Sequence, residues 1–255
     1  MSDIMGITFS DDTLKQTTKH LSNIIDEKYT KLTHVITANP EIALKIMNDE
    51  NFKEISKKAE LITPDGIGIV YASKLLGGNI KERVTGYDLV ISLLETRKKQ
   101  AKPIRLYALG ADSDTIRKAI INIESKYPNV QVLGYRDGYF KKEEEARIVK
   151  EINECKPDLL LVALGSPKQE EFIYRHKNYL NSKVAIGVGG TFDVISGNVK
   201  RAPEIYQKLG MEWFYRLVTN PKRFKRQLSL FKFGFKVILV SFGISKQPSS
   251  TKEEK

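Results

Sequence analysis

The stretch Asp158–Glu171, DLLLVALGSPKQEE, decides the fold class. From Asp158 to Ala163 it runs apolar and short, as a strand does when it is buried on both faces of a parallel sheet. Gly165-Ser166 breaks the run. Pro167 suits a first helical turn, where its missing N–H costs no hydrogen bond, and Lys168 to Glu171 continue as helix. Strand, tight turn and helix amino terminus leave free backbone N–H groups aimed at an anion. A second such loop follows, where Val184-Ala-Ile-Gly-Val188 ends in Gly189-Gly190-Thr191-Phe192-Asp193. Two glycine-bearing strand ends so close in the chain predict one ligand crevice at the carboxyl edge of a sheet. The competing reading is a pair of ordinary βα turns.

Working outward, the second half alternates regularly. Strands are predicted over residues 104–109, 130–135, 158–163 and 184–188, with helices over 114–126, 142–154 and 167–179. The first half adds a weak edge strand over 4–9, strands over 32–37 and 60–63, and helices over 11–28, 41–47, 66–76 and 87–99. This order argues for an α/β class: a Rossmann-like, mostly parallel sheet flanked by helices, with right-handed crossovers.

Composition narrows the function classes. With 41% hydrophobic and 29% charged residues, the 255-residue chain reads as soluble and globular. A single cysteine, Cys155, excludes an internal disulfide framework and fits a reducing compartment. No basic start followed by an apolar segment signals secretion, and no run of about 18 uncharged apolar residues predicts a membrane span. The expected location is cytoplasmic. The net charge is +11, and ten Lys or Arg against Glu204 and Glu212 between Lys200 and Lys236 put +8 of it in one segment. Such a block calls for an anionic partner: nucleic acid, anionic lipid or a phosphorylated substrate. The expected organisation is a catalytic core over residues 1–199, a basic helical appendage over 200–245, and a disordered tail over 246–255.

Asp65 is the acid singled out by position. It follows a predicted strand, between Pro64 and Gly66, at the rim where α/β enzymes put reacting groups; a plain turn residue is the alternative. Thr37 and Asn39 end the neighbouring strand and can hydrogen-bond a sugar or phosphate. His34, inside that strand, is expected to be packed and not catalytic. Asp112-Ser-Asp114 spells a DxD metal motif, but just before a helix it suits an N-cap pair better. The Gly187-Val-Gly189-Gly190 glycines lack the third glycine of the dinucleotide fingerprint, because Phe192 falls there. There is no P-loop, no paired Cys/His metal pattern and no GxSxG elbow, and neither a metal nor a cofactor is expected.

Several phrases carry a resemblance when read together: Thr37-Ala-Asn39-Pro40-Glu41, Pro64-Asp65-Gly66, Arg83-Val-Thr-Gly86-Tyr-Asp88, Gly165-Ser-Pro167-Lys-Gln169-Glu170, Gly187-Val-Gly189-Gly190-Thr-Phe-Asp193, Arg201-Ala-Pro203 and Glu212-Trp213-Phe-Tyr-Arg216. In this order they resemble the WecG/TagA/CpsF family of bacterial glycosyltransferases, over about residues 5–226, and most of all its TagA branch. The resemblance implies inverting transfer of N-acetylmannosamine from UDP-ManNAc to the 4-hydroxyl of GlcNAc-diphosphoundecaprenol, in wall teichoic acid synthesis. It implies Asp65 as catalytic base, with Thr37, Asn39, Arg83 and Gln169 around the sugar and diphosphate and Gly189-Gly190 in the glycine loop. It implies Asp193 at the uracil, and Arg216, Arg223 and Arg226 as appendage arginines. Ser166 departs from the family pattern and leaves the donor sugar open among family members, as it does the acceptor.

Arginines that take the diphosphate's charge would make the reaction metal-independent. In the appendage, Phe224, Leu228, Phe231, Phe235 and Ile238 recur at helical spacing, with Arg226, Lys232 and Lys236 on other faces. A basic amphipathic helix of this kind lies on an anionic bilayer and does not cross it, here the inner face of the cell membrane. The alternatives are a helix packed on its own domain or in a homo-oligomer interface. A nucleic-acid-binding module is the rival from another class, but its stacking platforms are missing, because the aromatics form one apolar stripe.

Overall fold

The computed structural model describes residues 1–28, 31–208, 210–219 and 224–244. The chain opens with a hairpin, β1 (Ser2–Ile4) and β2 (Ile7–Phe9), paired antiparallel to each other and apart from the main sheet. This corrects the edge strand expected over 4–9. Met5 (φ +53°) and Gly6 (φ +82°) form a two-residue loop, the backbone twist that lets short strands turn back on themselves. Ile4, Met5, Ile7 and Phe9 are buried, so the hairpin is an apolar plug.

The main sheet has six strands: β3 (Thr33–Ala38), β4 (Leu61–Pro64), β5 (Ile104–Gly110), β6 (Val130–Arg136), β7 (Leu159–Ala163) and β8 (Val184–Gly187). Their order is β4-β3-β8-β7-β5-β6 and every pairing is parallel. β8, last in sequence, lies between β3 and β7, with Val184 opposite both Thr33 and Leu159.

Twelve α-helices lie among the described residues: α1 (Leu14–Asp26), α2 (Pro40–Asn48), α3 (Glu50–Lys58), α4 (Ile67–Leu75), α5 (Gly86–Lys99), α6 (Ser113–Lys126), α7 (Glu145–Cys155), α8 (Lys168–His176), α9 (Thr191–Ile195), α10 (Glu204–Lys208), α11 (Glu212–Thr219) and α12 (Phe224–Ser241). The helices expected from the sequence do not include α3, although Phe52 and Ile55 share its buried face. Asp49 ends α2 and at once caps α3, accepting from the Phe52 N–H at 3.1 Å, so two helices abut with no glycine or proline between them.

Alternate strand residues face opposite ways, and both faces are covered, which is why the strands read as continuous apolar runs. Val35, Leu61, Leu106, Leu159 and Ile186 pack against Leu21 of α1, Leu93 of α5 and Ile120 of α6. On the other side Ile36 and Ile62 meet Ile42 of α2, Ile69 of α4, the hairpin, and Phe233 and Val237 of α12. Beside them Leu160, Val162 and Ala185 meet Ile148 of α7 and Phe172 of α8. The carboxyl ends of β3, β4, β7 and β8 are left facing one way, where helices begin.

Candidate active site

A cleft of about 550 Å³ opens at that edge. Thr37, at the end of β3, donates its hydroxyl to the Gly187 carbonyl at 2.9 Å and so fastens β3 to β8. Asn39 caps α2, its Oδ1 accepting from the Ile42 N–H at 3.0 Å, and Pro40 occupies the first helical turn. Asp65 is positioned by its own peptide N–H, which donates to the Ala38 carbonyl at 3.0 Å. Gly66, at φ +118°, then turns the chain sharply into α4, a conformation a side chain would strain. Asp65 is half-buried and lines the cleft together with Thr37 and Asn39.

The two glycine loops face each other across one glutamine. Gln169, 2% exposed, accepts the Gly189 N–H on its Oε1 at 3.1 Å and donates from Nε2 to Glu170 Oε1 at 2.8 Å. A Cβ at Gly187 would come within 2.8 Å of that Nε2, so the glycine is what gives the amide its room. Gly189 sits at φ +49° and Gly190 leads into the short helix α9. Glu170 is wholly buried, and burial pushes its carboxyl above the usual range. Lys45 reaches the same turn, donating to the Ser166 carbonyl at 3.0 Å. The family resemblance puts Gln169 beside the substrate; the structure also makes it the strut between the loops.

Charge is arranged in a chain that the sequence does not announce. Arg83 pairs closely with Glu212, the first residue of α11, and both are largely buried. Arg201 lies 3.7 Å from the same carboxylate, is bonded to Asp88 at 2.5 Å, and stacks over the Tyr87 ring at 4.7 Å. Thr85 and Asp88 close the first turn of α5 on each other, which holds that end of the chain in place. Glu212 and Asp88 both stand in phrases that carry the resemblance, yet nothing local marks them as partners of arginines so far away in sequence.

Asp112 caps α6 as its position predicts, accepting from the Thr115 N–H at 2.9 Å. The Thr115 hydroxyl and N–H hold its carboxyl below the usual range. Asp114 points elsewhere, to Lys118 at 2.5 Å and Arg117 at 2.9 Å. Asp193 lines the cleft, its Oδ2 within 3.2 Å of where a Gly190 Cβ would be. Tyr139, unmarked by any sequence motif, is 83% exposed and also lines the cleft. Arg223 lies outside the described residues, as does the tail over 246–255. Arg216 and Arg226 fall on α11 and α12, but their side chains are likewise outside what is described. No group of three or more His, Cys, Asp and Glu suited to a metal occurs among the described residues. His34 is packed as expected, and burial lowers it to about 3.

α12 has two apolar faces. Phe233 and Val237 are buried against α2 and α4, whereas Leu228, Phe231, Phe235 and Ile238 are exposed, 62% for Phe231 and 63% for Phe235. No helix among the described residues is long and apolar enough to cross a membrane.

Known proteins align with this arrangement over most of its length. A Bacillus subtilis protein described as N-acetylglucosaminyldiphosphoundecaprenol N-acetyl-beta-D-mannosaminyltransferase is 42% identical over 204 residues, 80% of this chain and 78% of its own. One from Bacillus spizizenii with the same description is 40% identical over 231 residues, 90% of this chain and 88% of its own. One from Staphylococcus aureus, again so described, is 34% identical over 235 residues, covering 92% and 91%. The model of the glycosyl transferase WecG/TagA/CpsF family matches residues 2–247, and with its acid, glycine loops and arginines gathered on one sheet edge the chain belongs to that family.

Proposed function

We propose that the protein is an inverting glycosyltransferase that moves N-acetylmannosamine from UDP-ManNAc to GlcNAc-diphosphoundecaprenol, forming the β-1,4 link of an early step in wall teichoic acid linkage-unit synthesis. The relatives' shared description supports the acceptor and the sugar. The observation that carries the chemistry is a half-buried carboxylate, Asp65, across a cleft from two glycine loops.

In this reading Asp65 takes the proton from the acceptor's 4-hydroxyl as that oxygen attacks the anomeric carbon. The bond from that carbon to the diphosphate oxygen breaks on the opposite face, and UDP leaves with the electron pair. Thr37 and Asn39 hold the sugar, Asp193 the uracil, and Gln169 keeps the Gly189-Gly190 loop open to the diphosphate. Arg83, with Arg216, Arg223 and Arg226 of the appendage, takes up the charge that develops on the leaving group. The exposed stripe of α12, with Lys232 and Lys236, rests on the anionic inner face of the membrane where the acceptor lies.

Turnover of a panel of UDP-sugars with a short-chain lipid acceptor tests the reading. UDP-ManNAc should be the preferred donor, and activity should survive EDTA. Preference for another donor would replace the sugar, and loss on chelation restored by Mg²⁺ or Mn²⁺ would overturn the metal-independent mechanism.

A further inference from the structure

A cleft that takes a nucleoside diphosphate needs cations facing it, and those described among its lining are Arg83 and Arg201. Both already face one anion. Glu212 pairs closely with Arg83, lies 3.7 Å from Arg201, and is itself only 8% exposed. Around it the lining carries four more carboxylates: Glu41, Asp65, Asp112 and Asp193. A diphosphate entering this cleft therefore meets arginines whose charge is already countered and a carboxylate that repels it.

We infer that Glu212 is a built-in competitor of the substrate diphosphate, which must displace its carboxylate from Arg83 in order to bind. This rests on the reading of the cleft as a site for a UDP-linked donor, and assigns to Glu212 the setting of its affinity. The competitor is tied to the appendage, because Glu212 opens α11. α11 packs back on the body through α12, and Trp213 meets Phe231 there edge-on at 6.1 Å. Arg201 keeps its second partner, Asp88, at 2.5 Å, so that end of the charge chain stays in place while Arg83 is handed over.

The experiment is UDP binding to the full-length protein by calorimetry, wild type against Glu212→Gln. The glutamine keeps the shape, and its amide can still meet Arg83, but the charge is gone. Glu212→Gln should bind UDP more tightly, by about three- to tenfold, since a close charge pair no longer competes and like-charge repulsion is relieved. A shorter carboxylate gives a second arm: Glu212→Asp keeps the charge but draws it back from Arg83, and should also bind UDP more tightly than the wild type. Equal or weaker UDP binding by a folded Glu212→Gln overturns the inference and leaves Glu212 a positioning residue that aims Arg83. Equal or weaker UDP binding by Glu212→Asp overturns it too, and decides the matter alone if Glu212→Gln does not fold. A wild type that binds no UDP sinks the donor reading itself, which the other outcomes leave standing.

Discussion

Asp65 and His34, one at the rim of the sheet and one inside it, would fail in different ways. If Asp65 is the base, Asp65→Asn should lower turnover by roughly 10²–10⁴-fold while UDP binding persists, because the lost proton acceptor acts in the chemical step. Near-normal turnover removes Asp65 from the mechanism. His34 acts on stability instead. Both of its ring nitrogens are buried without a hydrogen-bond partner, and burial, with Lys177 adding to it, keeps the ring neutral down to about pH 3. The unfolded chain protonates near pH 6.5, so the folded state loses stability as pH falls from there towards 3. Between pH 7.5 and 5 the loss should be about 2 kcal/mol, and urea unfolding of His34→Leu should show a correspondingly flatter pH dependence. Equal slopes would place the titration elsewhere. Asp65, Thr37 and Asn39 are legible in the sequence because each directly follows or ends a strand, where topology alone assigns the rim. Glu212 is not legible, because its meaning comes from Arg83, 129 residues away.

Among the elements, α12 divides its apolar residues between two surfaces. Its exposed stripe is visible as a helical repeat, but the face made by Phe233 and Val237 lies nearly half a turn away, and apolar residues on opposite sides of a helix leave no sign of which side is covered. The faces should separate experimentally. Phe233→Ala empties a fully buried site and should cost about 3–5 kcal/mol in urea unfolding. Phe235→Ser should change stability by no more than about 0.5 kcal/mol and instead weaken sedimentation with anionic vesicles. Vesicle binding that survives Phe235→Ser paired with Phe231→Ser would show that the stripe is not what meets the lipid. At the glycine loops, Gly187→Ala should displace Gln169, whose Nε2 would sit 2.8 Å from the new carbon. Turnover should drop by about tenfold or more, following misplacement of the loop that Gln169 holds. Unchanged kinetics would mean that the strut is dispensable.

For the molecule as a whole, the sheet is legible because βα alternation admits few topologies, whereas the strand order needs the structure. The appendage also proves less separable in space than its charge suggests, since α12 closes the cluster built on α2, α4 and the hairpin. A chain ended at about residue 200 should therefore expose that cluster and self-associate, and it should show almost no transferase activity. Gel filtration and turnover of the truncated protein check this; a monomeric, fully active core would overturn it. The placement of β8 has a consequence on the ribosome. Thr33 emerges early but pairs with Val184, so β3 waits for about 150 further residues, roughly 8–30 s at bacterial elongation rates of about 5–20 residues per second. For that time β3 lacks one of its two neighbours, and β7, which emerges near the end of it, lacks its own for about the last 25 residues. Nascent chains arrested before β8 should be digested readily and held by chaperones, and resistance should appear in a single step once β8 has emerged. Closure of the sheet during synthesis thus waits on the strand that is made last and sits in the middle.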